Sequence, residues 1–344
     1  MRRLTRWIPA LAAPLLVVGG AVAVPLVADA DPGLPDRTPE QVLELIATAD
    51  DTSFSGTVEQ TSELGLPELP EQLDQGGGGS VTDLLTGTHT ARVFVDGDKS
   101  RVQVMDRLAE RDVVVDGEDV WLWSSADQTA VHTTLPEHER SGPVTDGGAT
   151  PAEVADRLLE AAGPSTDIQV TDTATVAGRA VYQLTLDPRT DETLVDAATL
   201  SVDAETGMPL AVTIRAVGQT EPAFQIGFTE IDYATPDADL FEFTPPAGAE
   251  VVEKTLPEHD GPARDRDEGA DREGPEPVVT GQDWATVVEL PVGEVPEGAM
   301  VQQLTVPVEG GRALQTSLVS VLLTDDGRVL AGAVPVDTLV AAAR

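Results

Sequence analysis

Between residues 198 and 231 the chain alternates apolar and polar side chains three times in succession. Leu200 and Val202 point one way, Thr199 and Ser201 the other. Leu210, Val212 and Ile214 alternate with Ala211 and Thr213, and Phe224, Ile226 and Phe228 alternate with Gln225, Gly227 and Thr229. A period of two on consecutive segments belongs to antiparallel strands with one apolar face and one wet face. An apolar sheet face must be covered, and the sequence offers two amphipathic helices to cover it. The fold class is therefore α+β.

Both helices carry explicit start signals. Thr38-Pro39-Glu40-Gln41 supplies a capping hydroxyl, a proline at the first helical position and an acidic first turn. Val42, Leu45, Ile46 and Ala49 follow at helical spacing, which predicts a helix over 39–50. Thr150-Pro151-Ala152-Glu153 repeats the signal ahead of Val154, Leu158 and Ala161, and Gly163-Pro164 ends it. Strands are expected at 54–60, 92–95, 101–105, 113–115 and 120–123, then at 168–176, 180–186, 198–203, 210–217 and 223–231. Asp-Gly turns at 96–99 and 116–119 join two of the pairs, and Asp203–Met208 joins a third. Residues 65–88, which contain the GGGGS run at 76–80, read as a flexible excursion.

Compartment is written at the N-terminus. Arg2, Arg3 and Arg6 precede an uncharged run of 22 residues from Trp7 to Ala28, the layout of an export signal. Ala28-Asp29-Ala30 allows cleavage before Asp31, while the length of the run allows a membrane anchor; either outcome leaves the rest of the chain outside the cytoplasm. Arg2, Arg3 and Arg6 against Asp29 give residues 1–30 a net +2, so the rest of the −39 chain carries −41. Such a surface repels phosphate backbones, which excludes a nucleic-acid partner. There is no cysteine, hence no disulfide, thiolate nucleophile or lipobox acylation site.

Near the other end, His259–Pro277 is charged, rich in Gly and Pro and without apolar periodicity, as a solvated linker is. Beyond it, 281–344 regains order: strands are expected at 284–290, 300–306, 315–323 and 328–334, and Asp337 caps a final helix through Ala343. The division is thus a signal or anchor at 1–30, a main domain at 38–252, an acidic linker at 253–280 and a small α+β module at 281–344.

Catalytic and metal signatures are missing. His89, His132, His138 and His259 do not fall in a metal-binding spacing, and surface histidine is the better reading of each. No nucleophile elbow, Walker loop or dinucleotide glycine fingerprint occurs. Asp96-Gly97-Asp98 and Asp325-Asp326-Gly327 allow a calcium reading, but Asp-Gly at a hairpin is primarily turn chemistry. No cofactor is expected and the chain reads as a non-enzyme, a hydrolase being the enzyme alternative. Trp121 and Trp123 share one strand face, as core or as the mouth of an apolar pocket.

Five blocks in order resemble the LolA-like superfamily, its actinobacterial members in particular, and the N-terminal domain of RseB/MucB. The first two are SFSGTVEQTSELGLPELP at 53–70 and RVFVDGDKSRVQVMDRLAERDVVVDGEDVWLW at 92–123. The third spans 178–186, Gly178 followed by RAVYQLTL. The last two are LSVDAETGMPLAV at 200–212 and FTEIDYATPDADLFEFTPPAGAEV at 228–251. The resemblance implies a strongly bent antiparallel half-barrel wrapped on helices, with a hydrophobic cavity between them. It also implies a lipid or acylated protein as partner, or a membrane regulatory protein contacted by a ligand sensor. The C-terminal module departs from the carrier subgroup and favours a tethered binder or sensor. On this view Trp121, Trp123, Leu184, Leu200, Val202, Val212, Ile214, Phe224, Ile226 and Phe228 are the candidate cavity lining.

Overall fold

The structure, a computed structural model, describes residues 27–28, 32–49, 53–65, 86–105, 109–134, 150–254, 278–291, 301 and 304–344. Most of the export segment, the glycine run, His138 and the linker after Lys254 lie outside the described residues. Along the chain come β1 (Val27–Ala28), α1 (Pro39–Ala47), β2 (Phe54–Glu63), β3 (Thr86–Asp96), β4 (Lys99–Met105), β5 (Glu110–Asp116), β6 (Asp119–Ser124) and β7 (Thr129–Thr134). Next are α2 (Pro151–Ala161), β8 (Thr166–Val176), β9 (Arg179–Pro188), β10 (Val195–Asp203), β11 (Pro209–Ala216), β12 (Pro222–Asp232) and β13 (Glu250–Glu253). The last group is β14 (Val278–Thr280), β15 (Val287–Pro291), β16 (Val306–Val308), β17 (Gly311–Gln315), β18 (Ser320–Thr324), β19 (Arg328–Gly332) and α3 (Val336–Ala342).

Thirteen strands form one sheet in the order β1-β8-β9-β10-β11-β12-β2-β3-β4-β5-β6-β7-β13. Two meanders, β8–β12 and β2–β7, are joined side by side where β12 pairs with β2, and the end strands do not pair with each other. All pairings are antiparallel except that of β13 with β7. The Asp-Gly turns behave as their chemistry requires: Gly97 and Gly117 adopt φ of 61° and 62°. Both helices start with complete capping boxes, Thr38 with Gln41 and Thr150 with Glu153. Val42 of α1 and Ala155 of α2 are fully buried in the same apolar cluster as Leu184, Leu200, Val212 and Phe228. Among the described residues no helix is long and apolar enough to cross a membrane.

Several expectations change. Residues 86–88 belong to β3 rather than to a loop excursion, because Thr86–Thr88 continue the ladder opposite Thr61–Glu63. Strands β7 and β13 were not anticipated. The wet face of β10 and β11 is dry in part: Ser201 and Ala211, opposite each other, are 2% and 1% exposed. Both are small residues on central strands, shaded from either side. Trp284 stands in a single 3-10 turn, and Val301 and Leu304 are helical rather than extended. Asp337 lies in the first turn of α3, whose capping position is Pro335.

One buried ionic group organises the β9–β11 end. Asp203, 1% exposed, accepts from Arg179 Nε at 2.7 Å, from the Tyr233 hydroxyl at 3.1 Å and from the Glu205 backbone N–H at 2.8 Å. Burial alone would raise its pKa. The Arg179 hydrogen bond and the two turn N–H donors outweigh that and hold Asp203 below the ordinary carboxylate value.

A second, six-stranded sheet has the order β14-β15-β19-β18-β17-β16, and begins at Val278, ahead of the expected 281. Leu322, Leu330 and Leu339 form its own core. It is seated on the first sheet by a short buried plug. The Trp284 indole N–H donates to Thr166 Oγ1 at 2.7 Å, and the ring, 5% exposed, joins the main core together with Leu318. Next to it Asp283, at φ 52°, accepts from Ser165 Oγ at 2.6 Å and lies against Gly163. Thr193 and Leu194 both donate to the Ala333 carbonyl, and Ser317 N–H donates to the Leu64 carbonyl.

Truncating Trp284 to Ala removes that plug and is expected to cost about 3–5 kcal/mol. Denaturant unfolding followed by calorimetry should show one transition in the parent and two in the variant. Asp203 gives a pH signature. Its folded pKa is lowered, so its contribution is complete above the ordinary value of 3.8 and is lost as pH falls through the depressed one. The stability gap between the parent and Asp203→Asn should be flat above about pH 5 and shrink towards about pH 2 in urea titrations.

Candidate functional site

Cross-strand registry decides which candidate side chains meet. Leu184 is opposite Leu200, Leu200 opposite Val212, and Val212 opposite Ile226, so four of the ten form one row across β9–β12. Directly opposed residues share a face. Ile214 and Phe224 form the adjacent pair, while Val202 and Phe228 stand two residues along from Leu200 and Ile226. Eight candidates thus share one apolar face. Through Phe228 and Val58 that face continues onto Ala91 and Val104 of the second meander. It also carries Val113, Val115 and Val120, a further buried cluster.

The two tryptophans are not brought to this face. Trp123 is in register with Asp112, Gln103, Arg92 and Thr57, and Thr57 is the neighbour of Val58, hence on the other side of the sheet. Trp121 follows the same rule through Val114, Arg101, Phe94 and Ser55. The reason is covalent: one strand has two faces, and Val120 and Leu122 occupy the one that continues the main core.

On the apolar face, Leu184, Leu200, Val202, Val212, Ile226 and Phe228 are at most 1% exposed. They are packed core, with Phe228 edge-on to Phe54 at 5.7 Å between centroids. Gly56 is required beneath that ring, since a Cβ there would lie 2.8 Å from Phe228 ring carbons. Ile214 and Phe224 are half-buried and reach the rim beside α2, which packs on β11 and β12. The row is therefore closed over most of its length and only partly covered at Ile214 and Phe224.

The opposite face has its own construction. Trp121 stacks on His132 at 4.3 Å and 22°, and Phe243 packs 5.4 Å from Trp121 and 6.3 Å from Trp123. His132 Nδ1 lies 2.8 Å from Glu253 and Nε2 3.0 Å from Asp119. Arg101 bridges Asp112, at 2.5 Å, and the Leu240 carbonyl, at 3.0 Å. Sequence reasoning missed this group because β7 was not expected as a strand. The available signal was the Thr129–Thr134 run, whose alternation puts Ala130 and His132 on one side. Among the described residues no group of three or more His, Asp or Glu is disposed to hold a metal ion.

No family model matches the chain, and no curated protein matches it. Solved structures do. A chain of the Pseudomonas aeruginosa MucA/MucB complex aligns at 19% identity over 87% of this chain and 95% of that one, with a TM-score of 0.44. MucB solved alone aligns at 20% identity over 88% and 94%, TM-score 0.42. A LolA superfamily protein from Nitrosomonas europaea aligns at 12% identity over 60% and 99%, TM-score 0.26. At such scores the alignments bring no residue roles with them.

The packing predicts a graded response along the row. Leu200→Ala should cost about 2–5 kcal/mol, as for other fully buried leucines. Ile214→Ala, at the half-open rim, should cost visibly less in the same urea titration. Equal costs would mean that the rim is as closed as the centre. The chain is similar to MucB and to LolA superfamily proteins, the two groups that its sequence blocks resemble.

Proposed function

We propose that this is a non-catalytic, extracytoplasmic binding protein of LolA-like type, which holds a lipid or an acylated protein by its acyl chain. The observation that carries this reading is the single apolar face shared by Leu184, Leu200, Val202, Val212, Ile214, Phe224, Ile226 and Phe228. An acyl chain enters at Ile214 and Phe224 and lengthens the buried row as α2 moves off β11 and β12. Each methylene buried contributes roughly 0.8 kcal/mol, so a long chain binds firmly without a polar contact. The arginine-led N-terminal segment supplies export, by cleavage or as an anchor. In this scheme the first sheet with its two helices is the binding domain, the stretch between β13 and β14 the connection and the second sheet with α3 the accessory module.

A second reading is favoured by the Trp284 plug: a regulator of RseB/MucB type whose accessory module contacts a membrane regulatory protein. The plug gives that module a fixed seat beside the α2–β8 turn, so movement of α2 under a ligand would be felt there.

Native mass spectrometry with lipid extraction, on protein produced with export, tests the first reading. The expected result is a stoichiometric acyl ligand that is lost in Phe224→Asp and Ile214→Asp while near-UV circular dichroism is unchanged. Protein that stays empty after incubation with native membranes removes lipid binding and leaves the regulator. Capture of a membrane protein only when residues 281–344 are present supports the regulator directly.

A further inference from the structure

After β12 the chain leaves the first sheet and crosses its tryptophan-bearing face as a strap. A 3-10 turn at Ala238–Phe241 places Phe241, 1% exposed, over β4 and β5, and the Leu240 carbonyl takes the Arg101 hydrogen bond. Phe243 follows against Trp121 and Trp123. The strap ends as β13, four residues in parallel register with β7, where Glu250 N–H donates to Gln128 and Lys254 N–H to His132. Apart from half-buried Val252, the residues of β13 are exposed. A short, exposed, parallel edge strand has little holding it.

Beyond its backbone ladder to β7, the side-chain contact that fastens it is made by His132. One ring nitrogen faces Glu253 of β13 and the other faces Asp119 of β6, both within hydrogen-bond distance. An ionised carboxylate only accepts, so both contacts are satisfied only when both ring nitrogens carry a proton. A neutral imidazole offers one N–H and sets its other lone pair against an anion. We propose that His132 is a pH-operated latch that fastens the strap to the sheet when protonated and loosens β13 when neutral.

The surroundings agree on the sign. Asp119 from β6 and Glu253 from β13 are the charged groups that face the ring, and Trp121 covers its flat side. Burial pulls the imidazole pKa down, but the hydrogen bonds that the ring donates to Glu253 and Asp119 outweigh it and raise the pKa above 6.5. A raised histidine contributes its full grip below that ordinary value and loses it as pH climbs through the raised one. The side chains of Glu253 and Asp119 are 71% and 60% exposed, so salt screens the pair and the effect is modest.

The test is amide hydrogen exchange on the full chain at about pH 6 and about pH 9, corrected for intrinsic exchange, with β9 and β10 as internal standard. In the parent, protection of residues 251–254 should fall several-fold at the higher pH while β9 and β10 do not change. In His132→Gln it should be low at both values. Unchanged protection in the parent, or the parent's pH dependence surviving in His132→Gln, overturns the latch. Should His132→Gln lose protection in β9 and β10 as well, Glu253→Gln, at an exposed position, carries the comparison. Its pH dependence must then be reduced, and full retention overturns the proposal.

Discussion

Leu184, Leu200, Val212 and Ile226 meet across four adjacent strands, and the rest of the first sheet inherits its alignment from them. A slip of one residue on any of those strands would turn Thr199, Thr213 or Gln225 into the core and expose the row. The row therefore fixes register as well as contributing burial free energy. With register fixed, Phe228 falls opposite Val58, and that one pairing places the whole β2–β7 meander the right way up. Only then do Val104, Val113 and Val120 continue the dry face, with Trp121 and Trp123 left on the other.

Polar chemistry is placed where the apolar row cannot act. At the turn after β10, Asp203 collects Arg179, Tyr233 and two backbone donors, so the reversal into β11 is held from inside. Burial beside Asp203 pushes the Tyr233 hydroxyl up to about 12, which keeps it a neutral donor. Arg101 and Asp112 play a looser part under the strap. Asp112 is 3% exposed, and neither its Oδ1 nor Arg101 Nε has a partner among the described residues. Buried polar atoms left in that state are costly, which makes the strap a less settled region than the β9–β11 turn.

The alternation at 198–231 was sufficient to read β10, β11 and β12 and to choose seven side chains that share a face. The capped starts at Thr38 and Thr150 were legible because a hydroxyl, a proline and an acid or amide within four residues leave few other uses. Placing Trp121 and Trp123 was a different kind of problem. Alternation fixes faces within one strand, whereas carrying a face from β12 to β6 needs the register of five ladders, and no local pattern encodes those. The same holds for His132, whose partners Asp119 and Glu253 are far apart in sequence and meet only through a parallel pairing of four residues. Trp284 looked like the start of a strand because an isolated aromatic beside Val287 and Val288 has that appearance. Its actual role depends on Thr166, well over a hundred residues away.

Asp283 sits against the bare backbone of Gly163. A Cβ on Gly163 would stand 1.9 Å from its carboxylate oxygen, so that side chain would have to swing away from Ser165. Trp284 on Thr166, the Ala333 carbonyl under Thr193 and Leu194, and Ser317 on Leu64 would still tie the two sheets together. A methyl group at position 163 would thus unpick one stitch of a seam that several others hold.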